Sequence, residues 1–358
     1  MKRLLILTNS ILEYRNDVYD EMSKYYDITV AYYDQKKTNN PQYSTLKLTP
    51  VFIGPFVYIK EPLKKIASEF NSCLVMGDMH VISYMMLGFH KKRKYSLTYW
   101  GGDVSFSYKK RYDEDRKFDK LRFFLMDKAD SLVFYCKYPV KRYIVDGGID
   151  ENKLFVANNT VLVDEKIEIP NEKKHFLFVG TLYKEKKIFD LLLAYKSSFV
   201  KNKTIQPLYI IGDGVEKENI FKWIENNDLG NKIFLLGAIY DKQILKSYFK
   251  DAIACVSPGQ AGLSVLTSLA YGVAFVTTRN AITGGEIFNI INGNNGIIYE
   301  GNIEELANIL NVLSNDKKLV FELSSNAQNY YYENATIGQM VKGLVSSIKY
   351  AQENMKLF

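Results

Sequence analysis

The chain has few of the residues that build disulfide frameworks and metal sites. Its 358 residues include three cysteines, Cys73, Cys136 and Cys255. An odd and sparse set excludes a disulfide framework and points to a reducing compartment. Histidine is equally scarce: His80, His90 and His175 stand far apart, and none lies at zinc-ligand spacing. No metal site is expected. Long apolar runs are missing too. Leu4–Leu7 gives way at once to Thr8, Asn9 and Ser10, too short a run for the core of a signal peptide. Nothing approaches the roughly 20 apolar residues that cross a bilayer. The expectation is a cytoplasmic protein, with the inner face of the cytoplasmic membrane as the place where it would meet lipid. Repeats of solenoid period and low-complexity tracts are absent as well.

What is present is ordinary globular material, 47% hydrophobic and 24% charged, which excludes disorder. A chain this long exceeds the roughly 250 residues of a single core, so two domains are expected. The 27 Tyr and 21 Phe are numerous, but most aromatics pack rather than bind. Net charge is +7, and it is unevenly spread. Residues 60–142 hold 18 Lys/Arg against 10 Asp/Glu, so the rest of the chain is close to neutral. Lys91-Lys92-Arg93-Lys94 and Lys109-Lys110-Arg111 lie in that stretch. Such clusters either attract phosphates or form a solvated face.

Short apolar runs alternate with helical patterns, the signature of parallel α/β architecture. Strands are predicted at 4–8, 28–33, 73–76, 96–99, 131–134 and 154–156. The rhythm restarts at 175–179, 208–211, 233–236, 253–256, 273–277 and 297–299. The polar stretch 161–174, with Pro170, separates the two series as a linker. This gives a domain over 1–160 and a second over 175–334. Thr336 and Gln339 match a capping box, so a last helix is expected to start there and run to about 352 within a C-terminal segment, 335–358, that packs back on the first domain. Two such domains form Rossmann-like sheets facing a cleft, with ligands outside the carboxyl ends of the strands.

The most informative segment is Ser257-Pro258-Gly259-Gln260-Ala261-Gly262-Leu263, which follows a buried strand and opens a helix with Leu263, Leu266, Leu269 and Ala270 on one face. Small residues at a helix N-terminus let an anion reach bare N–H groups favoured by the helix dipole. A tight βα turn uses glycines in the same way, so both readings stand. Gly272 suits the left-handed position just past the helix. Lys186 follows a strand end and would carry a cation towards a phosphate; it also sits in a basic run, Lys184–Lys187, that suits an ordinary surface. Ile211-Gly212-Asp213-Gly214 lacks the spacing of a dinucleotide fingerprint and reads as a tight turn. In the first half, Tyr99-Trp100-Gly101-Gly102-Asp103 follows a strand. Trp100 suits stacking on a sugar or a buried strand-end turn.

These segments, in this order, resemble family 4 glycosyltransferases of the GT-B fold. Phe178-Val179-Gly180-Thr181 through Lys187 is similar to that family's Gly-Arg-x-x-x-Glu-Lys-Gly motif, Ile211–Gly214 to its Val-Gly-Asp-Gly strand end, and Leu235-Leu236-Gly237 to its "phe-leu-gly" segment. Glu286 with Gly293 and Gly296 resembles its Pro-Glu-Ile segment. The resemblance implies an α/β protein of GT-B fold, two Rossmann-like domains facing a central cleft. It implies transfer of a sugar from a nucleotide diphosphate donor to a glycan or lipid-linked acceptor, in bacterial surface-polysaccharide assembly such as a capsule. Retention of configuration and the absence of a metal or other cofactor are implied with it. Donor contacts would come from Gly180, Thr181, Lys186, Gly237, Gly259, Gln260, Ala261, Gly262, Leu263, Thr267 and Glu286. Acceptor contacts would come from Asn9, Ser10, Trp100 and Asp103. Lys186, Asp103 and Glu286 are the expected catalytic groups.

The chain departs from the family at three places. The two glutamates the family carries on either side of the helix start are Gly259 and Thr267 here, and the motif arginine is Thr181. Glu286 is the carboxylate expected to take over the ribose or sugar. The alternative function is a non-catalytic nucleotide-sugar binding protein with a degenerate site. An epimerase or phosphorylase of the same fold has no supporting motif, and no nucleic-acid motif accompanies the charge. Basic charge beside Phe123, Phe124 and Leu125, flanked by Arg122 and Lys128, suggests contact with a membrane surface.

Overall fold

The structure, a computed structural model, describes residues 1–38, 41–101, 117–163 and 165–355. Its strands are mostly unbroken apolar runs, and that is what sets the architecture. Ala252–Val256 and Ser96–Trp100 are buried at every position. A strand buried on both faces belongs in a parallel sheet covered by helices on either side. The described residues form two units. One is built from the residues up to Leu162 together with those from Thr336 on; the other is built from those of Val163–Ala335.

The first unit contains β1 (Arg3–Thr8), β2 (Asp27–Tyr32), β3 (Ser44–Lys47), β4 (Pro50–Ile53), β5 (Phe56–Ile59), β6 (Ser72–Met76), β7 (Ser96–Trp100), β8 (Ser131–Phe134) and β9 (Leu154–Val156). Seven of them make one parallel sheet in the order β3-β2-β1-β6-β7-β8-β9, while β4 and β5 pair as an antiparallel hairpin. The second unit contains β10 (His175–Val179), β11 (Leu208–Ile211), β12 (Ile233–Gly237), β13 (Ala252–Val256), β14 (Gln260–Ala261), β15 (Ala274–Thr278), β16 (Ile282–Thr283) and β17 (Gly296–Tyr299). Its parallel sheet runs β12-β11-β10-β13-β15-β17. In each sheet the strand order reverses once, between β1 and β6 and between β10 and β13. These reversals are where open α/β sheets leave a crevice for ligands.

The predicted strands are found within one residue of their expected ends. The short pieces β3, β4, β5, β14 and β16 were not predicted, because two to four residues are too few to show a period. Residues 165–174, read as a linker, cluster with the second unit. There Ile167 is buried and its carbonyl accepts from Gln328 Nε2.

The last helix, Ile337–Glu353, belongs to the first unit and closes one face of its sheet. Thr336 caps it, its side chain accepting from the Gln339 N–H. Met340, Val341, Leu344 and Ile348 enter a core with Leu4, Ile6 and Leu74. Ser347 Oγ meets Ser131 Oγ at 2.9 Å, and Gln352 Nε2 donates to Ser72 Oγ at 2.8 Å. Gly343 lets the helix approach the sheet edge so closely that a Cβ there would lie 2.5 Å from the Val156 carbonyl oxygen. Gly343→Ala should therefore destabilise the protein by about 1–3 kcal/mol despite alanine's better helix propensity. The same change at exposed Gly338 should be neutral or stabilising by about 0.5 kcal/mol; thermal melts of the two variants check the contrast.

Candidate active site

The reversal point of the second sheet brings two loops together. The first leaves β10 through Gly180, makes a short 3-10 turn over Lys184–Lys186 and turns left-handed at Lys187. The second leaves β13 through Ser257, Pro258 and Gly259 and enters the helix Leu263–Ala270. The Gly259 N–H donates to the Lys186 carbonyl at 3.0 Å. A Cβ on Gly259 would stand 2.0 Å from the Glu185 carbonyl oxygen, so only glycine allows the loops to meet. A glutamate at this position is excluded by the backbone of the neighbouring loop.

The second loop is pinned from several sides. Thr277 and Thr278, at the end of β15, donate their hydroxyls to the Ser257 and Pro258 carbonyls at 2.8 Å each. Ser257 Oγ donates to the Gln260 carbonyl at 2.8 Å. β14 pairs in parallel with β16, Gln260 opposite Ile282 and Ala261 opposite Thr283. That pairing sets the segment Thr283–Glu286 beside the glycine-rich loop. The Tyr183 hydroxyl donates to Gln260 Oε1 at 2.6 Å, tying the first loop to the second once more. Sequence reasoning missed Tyr183, Thr277 and Thr278; the paired threonines closing an otherwise apolar strand were the available signal.

Lys186 is 7% exposed; its ammonium stands 5.8 Å from the Tyr183 ring centroid and makes no hydrogen bond or ion pair with any described residue. Its ammonium lies so near Gly180 that a Cβ there would be 3.0 Å from Nζ. Burial pulls the Lys186 ammonium down to about 8, against a smaller opposing effect of Cys255. At neutral pH it is a buried cation without a counter-ion, which an incoming diphosphate would supply. The helix Leu263–Ala270 has no side-chain cap, and Val265 is its first residue with a bonded N–H, to the Gly262 carbonyl. The amides of Gly262, Leu263 and Ser264 are therefore open to an anion. Thr267 turns its hydroxyl back to the Leu263 carbonyl at 3.3 Å. Glu286 is buried; its Oε2 accepts from the Gly284 N–H at 2.9 Å and from the Thr283 hydroxyl at 3.5 Å. Thr181 is exposed, with no partner among the described residues. Gly237 adopts φ 76° with open space around it, and its carbonyl accepts from the Gly212 N–H. Gly212 and Gly214 thread strand ends together: a Cβ on Gly212 would fall 1.9 Å from the Gly180 carbonyl oxygen. They shape the connection, as their spacing indicated.

The first unit has its own cavity, of about 270 Å³, at the carboxyl ends of β6 and β7. Asp78, His80, Trp100, Arg122 and Tyr135 line it. Asn9 Nδ2 donates to Asp78 Oδ2 at 3.2 Å across the β1/β6 reversal, and Asp78 Oδ1 lies 3.0 Å from His80 Nδ1. Asn9 Oδ1 is buried without a partner. Ser10 is engaged elsewhere, with Asp34. Trp100 reaches the cavity but packs against Tyr19, Tyr135 and the Arg15 guanidinium, which corrects the expectation of an open stacking face. What it offers is a buried, unpartnered Nε1–H. Asp103 lies outside the described residues. Among the described residues no three His, Cys, Asp or Glu side chains are placed to hold a metal ion.

Residues 162–330 match the family profile of glycosyl transferases group 1. That match takes in a little under half of the chain and falls almost wholly in the second unit. Across more of its length, the chain is 27% identical to an uncharacterized glycosyltransferase of Methanocaldococcus jannaschii, covering 75% of this chain and 73% of that one. It is 24% identical to the poly(ribitol-phosphate) alpha-N-acetylglucosaminyltransferase of Staphylococcus aureus over 65% of this chain, but spans only 47% of that relative. Solved structures share the fold over almost all of both chains. Anabaena HepE, in complex with UDP and glucose, superposes with TM-score 0.70 at 14% identity, covering 98% of this chain and all of HepE. A Staphylococcus aureus TarM variant with fondaparinux, α-GlcNAc-glycerol and UDP gives 0.69 at 12% identity, covering 97% and all of TarM. The fold of this chain is that of the GT-B glycosyltransferases.

The depressed Lys186 fixes the sign of two effects. Its value in the folded chain, about 8, lies below its ordinary 10.5. Between those values the unfolded chain holds the extra proton, so this group's contribution to stability rises with pH across that window. Below about 8 the buried charge is a cost. Lys186→Met should raise the melting temperature of the ligand-free protein at pH 7. In the parent protein, affinity for a nucleoside diphosphate should fall as pH rises through about 8, and in Lys186→Met that slope should vanish; titration calorimetry from pH 7 to 10 reads both.

Proposed function

We propose that the chain is a glycosyltransferase that takes a sugar from a nucleotide diphosphate donor and delivers it to a glycan or lipid-linked hydroxyl in the assembly of a bacterial surface polysaccharide. The observation that carries this reading is the buried, unpaired Lys186 cation beside a loop-to-helix turn with three free amides. That pairing matches the charge distribution of a diphosphate. HepE and TarM, which share the fold, were both captured with UDP, which supports a uridine nucleotide as the first donor to try.

The transfer breaks the bond between the sugar's anomeric carbon and the diphosphate oxygen. It forms one from that carbon to the acceptor hydroxyl oxygen. In the retaining course the acceptor enters on the face the diphosphate leaves, and the departing diphosphate oxygen takes the hydroxyl proton. Negative charge grows on the diphosphate during this step. In this reading Lys186 and the amides of Gly262–Ser264 hold that charge, on loops fixed by Thr277, Thr278 and Tyr183. A charge-compensating metal or cofactor has no assigned part in this course. Glu286, fixed by Gly284 and Thr283, presents its carboxylate beside the glycine-rich loop, where a ribose or sugar hydroxyl would donate to it. Asn9, Trp100 and the cavity at the carboxyl ends of β6 and β7 are the proposed acceptor side, and Asp103 keeps the acceptor-orienting role implied by its motif.

One observation favours a second reading, a binding protein without transferase activity. Gly259 cannot carry the family carboxylate, and Thr267 has spent its hydroxyl proton on its own helix. Hydrolysis of nucleotide-diphosphate sugars separates the two readings. An enzyme should release nucleoside diphosphate slowly without acceptor. Lys186→Ala should lower that rate at least about 100-fold, the scale of losing one preorganised charge partner. Glu286→Gln should lower it about tenfold while leaving the fold intact. Binding of a nucleotide sugar with no release under any condition would leave the binding-protein reading.

A further inference from the structure

The first unit holds a buried cation that the transfer step does not use. Arg15 lies in the helix Glu13–Met22, which follows β1, and it is 6% exposed. It makes no ion pair with a carboxylate among the described residues. Its Nη1 meets only Met340 Sδ, 3.6 Å away. Its Cζ stands 4.8 Å from the Trp100 ring centroid and 4.9 Å from those of Tyr135 and Tyr14. Aromatic faces attract a guanidinium, but they carry no net charge and leave its own uncompensated.

Trp100 and Tyr135 are also wall residues of the cavity at the carboxyl ends of β6 and β7. Arg15 therefore sits behind that wall, where a low dielectric leaves its charge weakly screened. Trp100 adds a second unmet demand. Its Nε1–H is buried without a partner, and an unbonded buried donor is costly. A lone cation and a lone donor thus meet at one wall, with no acceptor of this chain serving either. The cavity presents the other sign as well. The Asp78 carboxylate takes the Asn9 Nδ2, the His80 N–H and His80 Nδ1, and keeps acceptor capacity for one hydroxyl more. Arg122 lines the cavity too, but Asp119 neutralises it. A ligand that satisfies these walls carries an oxyanion for Arg15 and Trp100 and a hydroxyl for Asp78. A neutral sugar supplies only the hydroxyl.

We propose that the acceptor taken by this cavity is an acidic sugar, bearing a carboxylate or a phosphate ester, whose oxyanion accepts from Trp100 Nε1–H in the field of Arg15. The inference rests on reading this cavity as the acceptor side, and it adds the charge of the acceptor. Trp100 and Trp223 are the two tryptophans of the chain, so the isotope-labelled full chain gives two indole N–H resonances, assigned with Trp223→Phe. Glucuronic acid or glucose 6-phosphate should move the Trp100 resonance at a concentration about tenfold or more below that needed with glucose, the scale of a charge-assisted bond. The Trp223 resonance should stay in place. Whichever acid acts at the lower concentration names the oxyanion. Trp100→Phe keeps the ring and removes the donor, and Arg15→Gln removes the charge; each should abolish the preference for acid over glucose, and Arg15→Lys should restore part of it. Acid and neutral sugar are compared in the unaltered chain, so the test stands even if Arg15→Gln does not fold. Equal response to glucose, a response to inorganic phosphate as strong as to either acid, or a response to uridine diphosphate in preference to both acids would each overturn the proposal. Release of nucleoside diphosphate from a nucleotide sugar, with no acid preference at Trp100, would sink this inference alone. Acid preference without any such release would sink the transferase reading and leave the acidic-sugar site standing.

Discussion

The candidate donor site depends on one contact, the backbone of Gly259 lying against the backbone of Glu185 and Lys186 where the second sheet reverses its strand order. A side chain at 259 would push the loops apart. With none, the β10 loop folds over the β13 loop, Lys186 is forced under cover, and its ammonium ends beside Gly180. The buried cation and its lowered proton affinity follow from that approach, and the open amides of the uncapped helix Leu263–Ala270 lie at the far end of the same loop. The hydroxyls of Thr277 and Thr278 and the Gln260–Thr283 pairing hold the arrangement in place before any ligand arrives. Preorganisation of this kind is what makes a charge partner effective in a transfer step.

The same contact gives a physical account of the chain's departure from the family pattern. A carboxylate at position 259 and a close Gly259–Glu185 backbone contact cannot coexist. A buried carboxylate, Glu286, follows β16 on the segment paired with the glycine-rich loop and is fixed by a neighbouring amide. Position 267 retains a polar atom but faces its own helix. On the proposed reading, one carboxylate on the adjacent segment stands in for the family's two on the loop and helix.

The doubly wound architecture was legible because parallel strands buried on both faces read as uninterrupted apolar runs. His175–Val179 and Leu208–Ile211 are found at the bounds their sequence indicated. The capped start at Thr336 was legible for the same reason, a local pattern with a local cause. The details of the site were not legible to that degree. That Lys186 is buried while its neighbours Lys184, Glu185 and Lys187 are exposed depends on a loop 70 residues further on. That Phe124 faces out and Phe123 in depends on helix phase, which an eight-residue helix with mixed composition leaves open. Trp100 was visible as unusual, but its packing against Arg15 and Tyr135 joins residues distant in sequence.

The most direct test of the central claim is amide hydrogen exchange of the full chain, alone and with uridine, guanosine and thymidine diphosphates in turn. The account predicts that one of them slows exchange at Gly262, Leu263 and Ser264 and in the Lys184–Lys187 turn, with the sheet core unchanged. Saturating nucleotide that protects other segments while leaving these amides at their free rate would contradict it.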